Sequence, residues 1–275
     1  MIRGIYTAAA GMIVQMDRQD VISNNLANVD NTGFKKDQAV IKEYPGFELY
    51  RKDDEREIIP GGIESKLTPV GKLGTGAQLQ DVATDFTQGA ILETGNKTDF
   101  AILGDGFFAV DTANGVKLTR DGSFYIDKNK YLVDGNGNKV LALSADNKPS
   151  YILADADFQI SNGLIKGATL ENVTKNLQGL NINGGNANEA LAFVNVQDKN
   201  SLVKEGKNYY SLPNQTSLTK GGEYVQGSLE KSNVSVVKEM VEMISCSRAY
   251  ETNQKALTSQ DEALNKVVSE VGKWA

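Results

Sequence analysis

Histidine is absent from all 275 residues. With it go the commonest general base, the Ser-His-Asp and Cys-His nucleophile pairs and every imidazole metal site. The single Cys246 permits neither an internal disulfide nor a paired-cysteine zinc site. Lacking a histidine to activate it, Cys246 reads as a small buried or interfacial residue rather than a nucleophile. Two glycine-rich stretches imitate ligand loops. Gly104-Asp105-Gly106-Phe107-Phe108-Ala109 matches the G-x-G-x-x-A form of the dinucleotide fingerprint. That loop must open a helix whose N-terminus holds the pyrophosphate, whereas Phe107 to Val110 is β-forming, so a hairpin is expected instead. Asp134-Gly-Asn-Gly-Asn138 begins like a calcium loop, but Lys139 and Ala145 stand where glycine and glutamate are needed, and a glycine-rich turn is expected. No Walker A sequence is present. The 35 acidic residues leave a glycosidase-like carboxylate pair open, although nothing singles one out. No cofactor or metal is therefore expected.

The elements that would carry any such chemistry follow from composition. With 40% hydrophobic and 23% charged residues the chain can bury a core. A net charge of −6 without a Lys/Arg-rich block argues against a nucleic-acid surface or an anionic-membrane anchor. No run approaches the roughly 18 apolar residues that span a bilayer. Ile5 to Met16 behind Arg3 is interrupted by Tyr6, Thr7, Gly11 and Gln15, so no cleaved signal peptide is expected. Backbone punctuation is concentrated in the middle: 24 of 27 glycines and all five prolines fall between Gly33 and Gly227. Both ends can therefore propagate long helices. This predicts an α+β chain, with terminal helices flanking a mainly antiparallel β domain built as an irregular barrel or sandwich. The boundaries read as an N-terminal helix over 1–32, an extended linker over 33–75, a β-rich domain over 76–227 and a C-terminal helix over 228–275.

At the N-terminus Ile2, Ala9 and Met16 recur every seven residues, with Ile5 and Met12 offset by three and Leu26 extending the second series. The run stops at Asn28-Val-Asp-Asn-Thr-Gly33. Ser232-Asn233 can cap a helix from near Val234. There Val237 with Ile244, then Leu257, Leu264 and Val271, repeat the seven-residue step, with a register shift around Tyr250 to Ala256. The economical arrangement is an antiparallel coiled-coil pair of the terminal helices. Two helices covering the β domain is the alternative. A helix of roughly 40 residues, on the order of 60 Å, exceeds what a cover needs, so its apolar partners lie in part on other chains. The expected subunit-interface residues are Ile5, Met12, Met16, Asn24, Asn25, Leu26, Asn28, Val237, Met240, Ile244, Arg248, Tyr250, Leu257, Leu264 and Val271.

The middle reads as short strands between turns: Phe100 to Leu103, Phe107 to Val110, Lys117 to Thr119, Ser123 to Ile126, Tyr131 to Val133, Val140 to Leu143, Leu191 to Val196, Tyr209 to Leu212 and Glu223 to Val225. Between Tyr44 and Gly76 a Pro/Gly-rich stretch carries the mixed-sign run Arg51 to Glu57, expected as a solvated loop.

Four ordered segments carry a family likeness. Ser23-Asn-Asn-Leu-Ala-Asn-Val-Asp-Asn-Thr-Gly-Phe-Lys-Lys36 resembles the N-terminal signature of bacterial flagellar axial proteins, the rod and hook class. Ala101 to Val110, Leu118-Thr-Arg-Asp-Gly-Ser-Phe124 with Tyr131 to Gly135, and Leu229-Glu-Lys-Ser-Asn-Val234 with Met243 to Asn253 resemble its further motifs, Ser247 standing where the family often has Gln. Residues 145 to 220 match loosely. The resemblance implies a structural subunit of the basal-body rod in the cell envelope, exported unfolded through the flagellar type III apparatus. It implies a helical homopolymer that transmits torque and encloses an export channel, with neighbouring rod and hook axial proteins as partners. The Asn-Leu-Ala-Asn-Val and Ser-Arg-Ala-Tyr-Glu-Thr-Asn segments favour the distal over the proximal rod subunit. In such a polymer Asn24, Asn25 and Asn28 could fix register between subunits by amide hydrogen bonds. Arg248 could pair locally with Glu251 or across an interface, and the sequence leaves both open. A secreted carbohydrate-active enzyme and an adhesin-like binding module are the competing classes.

Overall fold

The structure, a computed structural model, describes residues 2–59, 62–143, 149–161, 164–172, 180–183, 190–191, 193–194, 196, 199–206, 208–211, 216–219 and 223–272. Helix α1 (Ile2–Ala27) and helix α2 (Val236–Gly272) bracket a succession of strands. The chain divides into two compact units, one of Met1–Asn24, Asp37–Ala83 and Val237–Ala275, the other of Asn25–Lys36 and Thr84–Val236.

In the first unit both helices repeat their burial at alternating steps of four and three residues. On α1 the covered positions are Gly4, Ala8, Gly11, Gln15, Arg18 and Ile22, with Val14 beside them. On α2 they are Glu239, Met243, Cys246, Tyr250, Asn253, Leu257, Gln260 and Leu264, without a break at Tyr250 to Ala256. The expected register shift is therefore corrected: Leu257 and Leu264 lie in the covered row, together with glycines and amides that periodicity does not mark. Met16 is 52% exposed, and Val237 and Ile244 lie outside the covered row. The physical reason is close approach. A methyl group added at Gly11 would come 2.8 Å from Asn253 Nδ2, and one at Gly4 would overlap the Gln260 carboxamide. Small residues admit the neighbouring helix where large apolar ones would hold it off. The two contacts step seven residues up one helix and seven down the other, which is an antiparallel sense.

The stretch 33–75, expected as a linker, carries strands. Asp37–Glu43 pairs with Ala77–Thr84, and Phe47–Ile59 forms a long antiparallel hairpin with Gly62–Leu73. The Pro60-Gly61 dipeptide that suggested a loop falls between the hairpin strands in sequence. In the register of this hairpin Glu48 stands opposite Lys72 and Glu57 opposite Glu64.

The second unit is mainly antiparallel. Phe107–Thr112 is its central strand, pairing with Gly115–Thr119, Lys139–Leu143 and Phe193–Val194. Lys139–Leu143 continues to Pro149–Ser161 and then Leu164–Asn172. Among the described residues one pair is parallel, Leu180–Asn183 with Thr216–Thr219. Among the described residues no strand path closes into a barrel. Side chains alternate across the central strand: Phe108 and Val110 join Phe100, Phe124, Leu132, Val140 and Ile152 in one core, while Phe107 and Ala109 join Leu118, Leu141, Val194 and Tyr210 in another. A strand covered on both faces reads as a continuous apolar run, as Phe107 to Val110 does.

The hairpin expected around Gly104-Asp105-Gly106 does not form. Phe100–Leu103 pairs with Glu223–Gln226, so the glycine loop passes from one sheet to another. Nor do Ser232 and Asn233 cap a helix at Val234. Helix α2 begins at Val236, and the Asn233 side chain is engaged with other segments.

Candidate functional site

The second unit gathers its distant segments at one buried ionic clasp. Helix α1 ends at Ala27, and turns closed by Asn28 N–H to Asn25 O and Asn31 N–H to Asn28 O lead the chain to Gly33 at φ +67°. Only glycine fits there. The conformation is left-handed, and a Cβ would run into the backbone of Arg120 and Asp121. The turn delivers Lys35 inward, where its Nζ donates to Glu230 Oε1 at 2.6 Å and to the Thr87 carbonyl at 2.8 Å. Arg120 approaches the other carboxylate oxygen, with Nη1 to Glu230 Oε2 at 3.1 Å and Nη2 to the Gly104 carbonyl at 2.7 Å. Its guanidinium lies 5.3 Å from the centre of the Phe107 ring. The Gly89 amide donates to Glu230 Oε1 at 2.8 Å, and Gly89 is a glycine because its Cβ would overlap the Lys231 carbonyl.

Lys35, Arg120 and Glu230 are 0, 2 and 1% exposed. Burial pushes the Lys35 ammonium below its ordinary pKa; Glu230 opposes that shift and the Arg120 charge adds to it. Backbone and amide bonds hold the carboxylate in place. The Gly33 N–H donates to the Glu230 carbonyl, Ser228–Glu230 pairs with Ile91–Glu93, and the Lys231 N–H donates to Ala90 O. Asn233 accepts from the Lys36 amide at 2.7 Å and donates to Asp85 O at 2.9 Å and to Thr87. Thr32 Oγ1 donates to Asp121 Oδ1 at 2.6 Å. The clasp thus unites Thr32 to Lys36, Gln88 to Gly104, Thr119 to Asp121 and Ser228 to Asn233. All its charges are engaged with one another, so the arrangement suits mechanical closure rather than proton transfer.

Sequence reasoning missed these three charges although each lies inside a quoted motif. Each has a second charge beside it in sequence, Lys36, Asp121 and Lys231, so no isolated charge marked the three out. Beside the clasp lies a cleft of about 440 Å³ lined by Asp121, Asp134, Asn136, Asn208 and Tyr209, among others. Asp134 Oδ1 accepts from the Asn136 and Asn138 amides at 2.9 Å, and the Tyr209 hydroxyl donates to Oδ2. Asp134 to Asn138 is therefore an Asx-type turn. Among the described residues no three His, Cys, Asp or Glu side chains converge as metal ligands.

The expected interface residues divide by exposure. Ile5, Met12, Leu26, Asn28, Tyr250, Leu257 and Leu264 are half-buried and Asn25 is buried, while Met16, Asn24, Val237, Met240, Ile244 and Arg248 are exposed. The Val271 side chain lies outside the described residues. Asn28 Oδ1 accepts from Asn31 Nδ2 at 2.7 Å, so that amide works within its own turn. On α2, Val237, Met240, Val241 and Ile244 form an uncovered apolar stripe at i, i+3, i+4 and i+7, with exposures of 49 to 73%. Among the described residues no helix is long and apolar enough to cross a membrane.

Three family models match the chain: Flagella basal body rod protein over residues 5–35, Flagellar hook protein FlgE/F/G D1 domain over 101–184, and Flagellar basal body rod FlgEFG protein C-terminal over 225–270. The chain is 32% identical to the flagellar basal-body rod protein FlgG of Bacillus subtilis, covering 98% of this chain and 99% of that protein. It is 35% identical to FlgG of Borreliella burgdorferi, covering 96 and 97%. A second Bacillus subtilis protein, the hook-basal body complex protein FlhO, is 28% identical over 99% of this chain and all of its own length. These relatives are structural proteins and give no support to the enzyme or adhesin readings. By its matched segments and by identity along nearly its whole length, the chain belongs to the family of flagellar basal-body rod proteins.

Proposed function

We propose that this structural subunit of the flagellar basal-body rod polymerises through the faces of its terminal helices that a single chain leaves uncovered. The observation that carries the reading is the stripe Val237, Met240, Val241 and Ile244 on α2. Each such side chain is worth about 1.5–3 kcal/mol when fully buried, so one stripe supplies several kcal/mol per contact. The exposed Met16 on α1, with Arg248 at the edge of the α2 stripe, extends the surface. A second copy offers the same surfaces, and a head-to-tail contact that does not close on itself builds a filament. The covered faces of α1 and α2 then form an antiparallel coiled-coil pair within each subunit, and the exposed faces join subunits into a tube that transmits torque and encloses an export channel.

Neighbouring rod and hook axial proteins cap the two ends of such a stack, and the export apparatus delivers the chain. The two FlgG relatives, matched almost end to end, favour the distal segment of the rod. The domain reading becomes terminal helices for assembly and a β unit for spacing. The test places Val237→Asp and Ile244→Asp together in otherwise normal motile cells. Purified hook-basal bodies should lack the variant chain and the cells should not swim. Incorporation at the unsubstituted level would overturn the reading.

A further inference from the structure

We propose that Glu230 is a closing latch for the whole β unit: burial of its carboxylate between Lys35 and Arg120 is the step that completes the fold, so the unit stays open until the C-terminal segment arrives. Three observations carry this. The two cations come from segments 85 residues apart in sequence, and both point their side chains at a carboxylate more than 100 residues further on, with separations of 195 and 110 residues from it. Neither cation can be buried before that anion is in place, because an isolated charge out of water costs far more than the packing around it returns. The same segments also meet main chain to main chain, Gly33 sitting directly against the Arg120 backbone.

The latch also reaches the core. Arg120 stacks over Phe107, whose ring packs against Phe86 and Tyr210 at centroid distances of 5.6 and 5.5 Å. Withdrawing Glu230 drives Arg120 toward water and uncovers that aromatic cluster. An apolar junction could close in any order, with partial gains at each step. This ionic one rewards only the complete set. Since residue 230 of 275 must be present, the β unit of a growing or C-terminally held chain remains unlatched, whatever assembly its helices later join.

Native-state hydrogen exchange on the full-length chain tests this directly. The Gly33 amide, bonded to Glu230 O, and the Gly89 amide, bonded to Glu230 Oε1, should exchange within about tenfold of the Phe100 amide, which is bonded to Gly122 O inside the core. Exchange of Gly33 and Gly89 more than about tenfold faster than Phe100 makes the clasp a fraying end and overturns the proposal. In Glu230→Ala, protection of Phe100 and the Phe107–Thr112 strand should fall together by about 100-fold or more. Loss confined to Gly33 and Gly89 overturns it as well. If that variant fails to fold, the unsubstituted chain decides the matter alone.

Discussion

The helix row of the first unit and the clasp of the second both join segments distant in sequence, on opposite physical terms. Along the helices, Gly4 and Gly11 admit the amide side chains of Gln260 and Asn253, and the Gln15 and Gln260 Oε1 atoms are buried without a hydrogen-bond partner. That contact leaves polar groups unsatisfied. In the clasp every oxygen of Glu230 is engaged and the three charged side chains are almost wholly buried, with Arg120 Nε the group there that lacks a hydrogen-bond partner. The difference teaches that the β unit is held by its own chain through buried charge, whereas α2 leaves the stripe Val237, Met240, Val241 and Ile244 uncovered. A subunit that must assemble needs a fixed part and an unfinished part, and here the two differ in chemistry as well as place.

Breaking the clasp should have the largest effect. Glu230→Ala leaves two buried cations facing each other and is expected to cost about 3–5 kcal/mol in denaturant unfolding of the β unit. Replacing the trio together, with Lys35→Met, Arg120→Met and Glu230→Leu, should cost far less, because no uncompensated charge remains. Equal losses in the single and triple variants would show that the ion pairs are incidental to closure. In Asn253→Ala, by contrast, the β unit should unfold at the unsubstituted denaturant midpoint.

A second prediction sharpens the stability of the β unit by titration. Burial pushes the Tyr224 phenol up to about 12 from an ordinary 10.0. A group whose folded pKa is raised contributes stability that is fully present below pH 10 and is lost as pH rises through about 12. About 2 to 3 kcal/mol should therefore disappear across that window, and Tyr224→Phe should flatten that part of the curve. The measurement is the urea midpoint between pH 9 and 12. An unchanged slope in the phenylalanine variant would place the alkaline loss elsewhere.

Legibility from sequence followed the range of the interactions. The two terminal helices, the α+β order and the buried strand Phe107 to Val110 depend on local spacing and breakers, and the structure has them, although the helices are shorter than expected, ending at Ala27 and beginning at Val236. The partner of Phe100–Leu103 depends on a strand more than 100 residues away at Glu223–Gln226, and a local hairpin was the wrong guess. The long hairpin of Phe47–Ile59 with Gly62–Leu73 was hidden by a Pro/Gly-rich composition that reads as loop. On α1 the periodic reading found Ile5 and Met12, which are half-buried, but not the close approach along Gly4 and Gly11, where small residues admit Gln260 and Asn253. Lys35, Arg120 and Glu230 were in view as letters of motifs, but a one-dimensional pattern carries no burial, and burial is what makes them matter.

The smallest expected effect lies on the helix row. Gly11→Ala gains about 1 kcal/mol of helix propensity on α1 and must displace Asn253, whose Nδ2 would sit 2.8 Å from the new methyl group. The obstruction is the free end of a flexible side chain, so displacement is cheap, and the net change in helix melting should stay within about 1 kcal/mol of zero. Asn253→Ala combined with Gly11→Ala removes the obstruction and should recover most of the propensity gain, a non-additivity readable by circular dichroism in a double-mutant cycle. If Gly11→Ala instead destabilises the helices by several kcal/mol, the row is as tightly built as the clasp, and the contrast between a fixed and an unfinished part fails. If the cycle is additive, Gly11 and Asn253 do not meet, and the antiparallel stepping of the two helices must be redrawn.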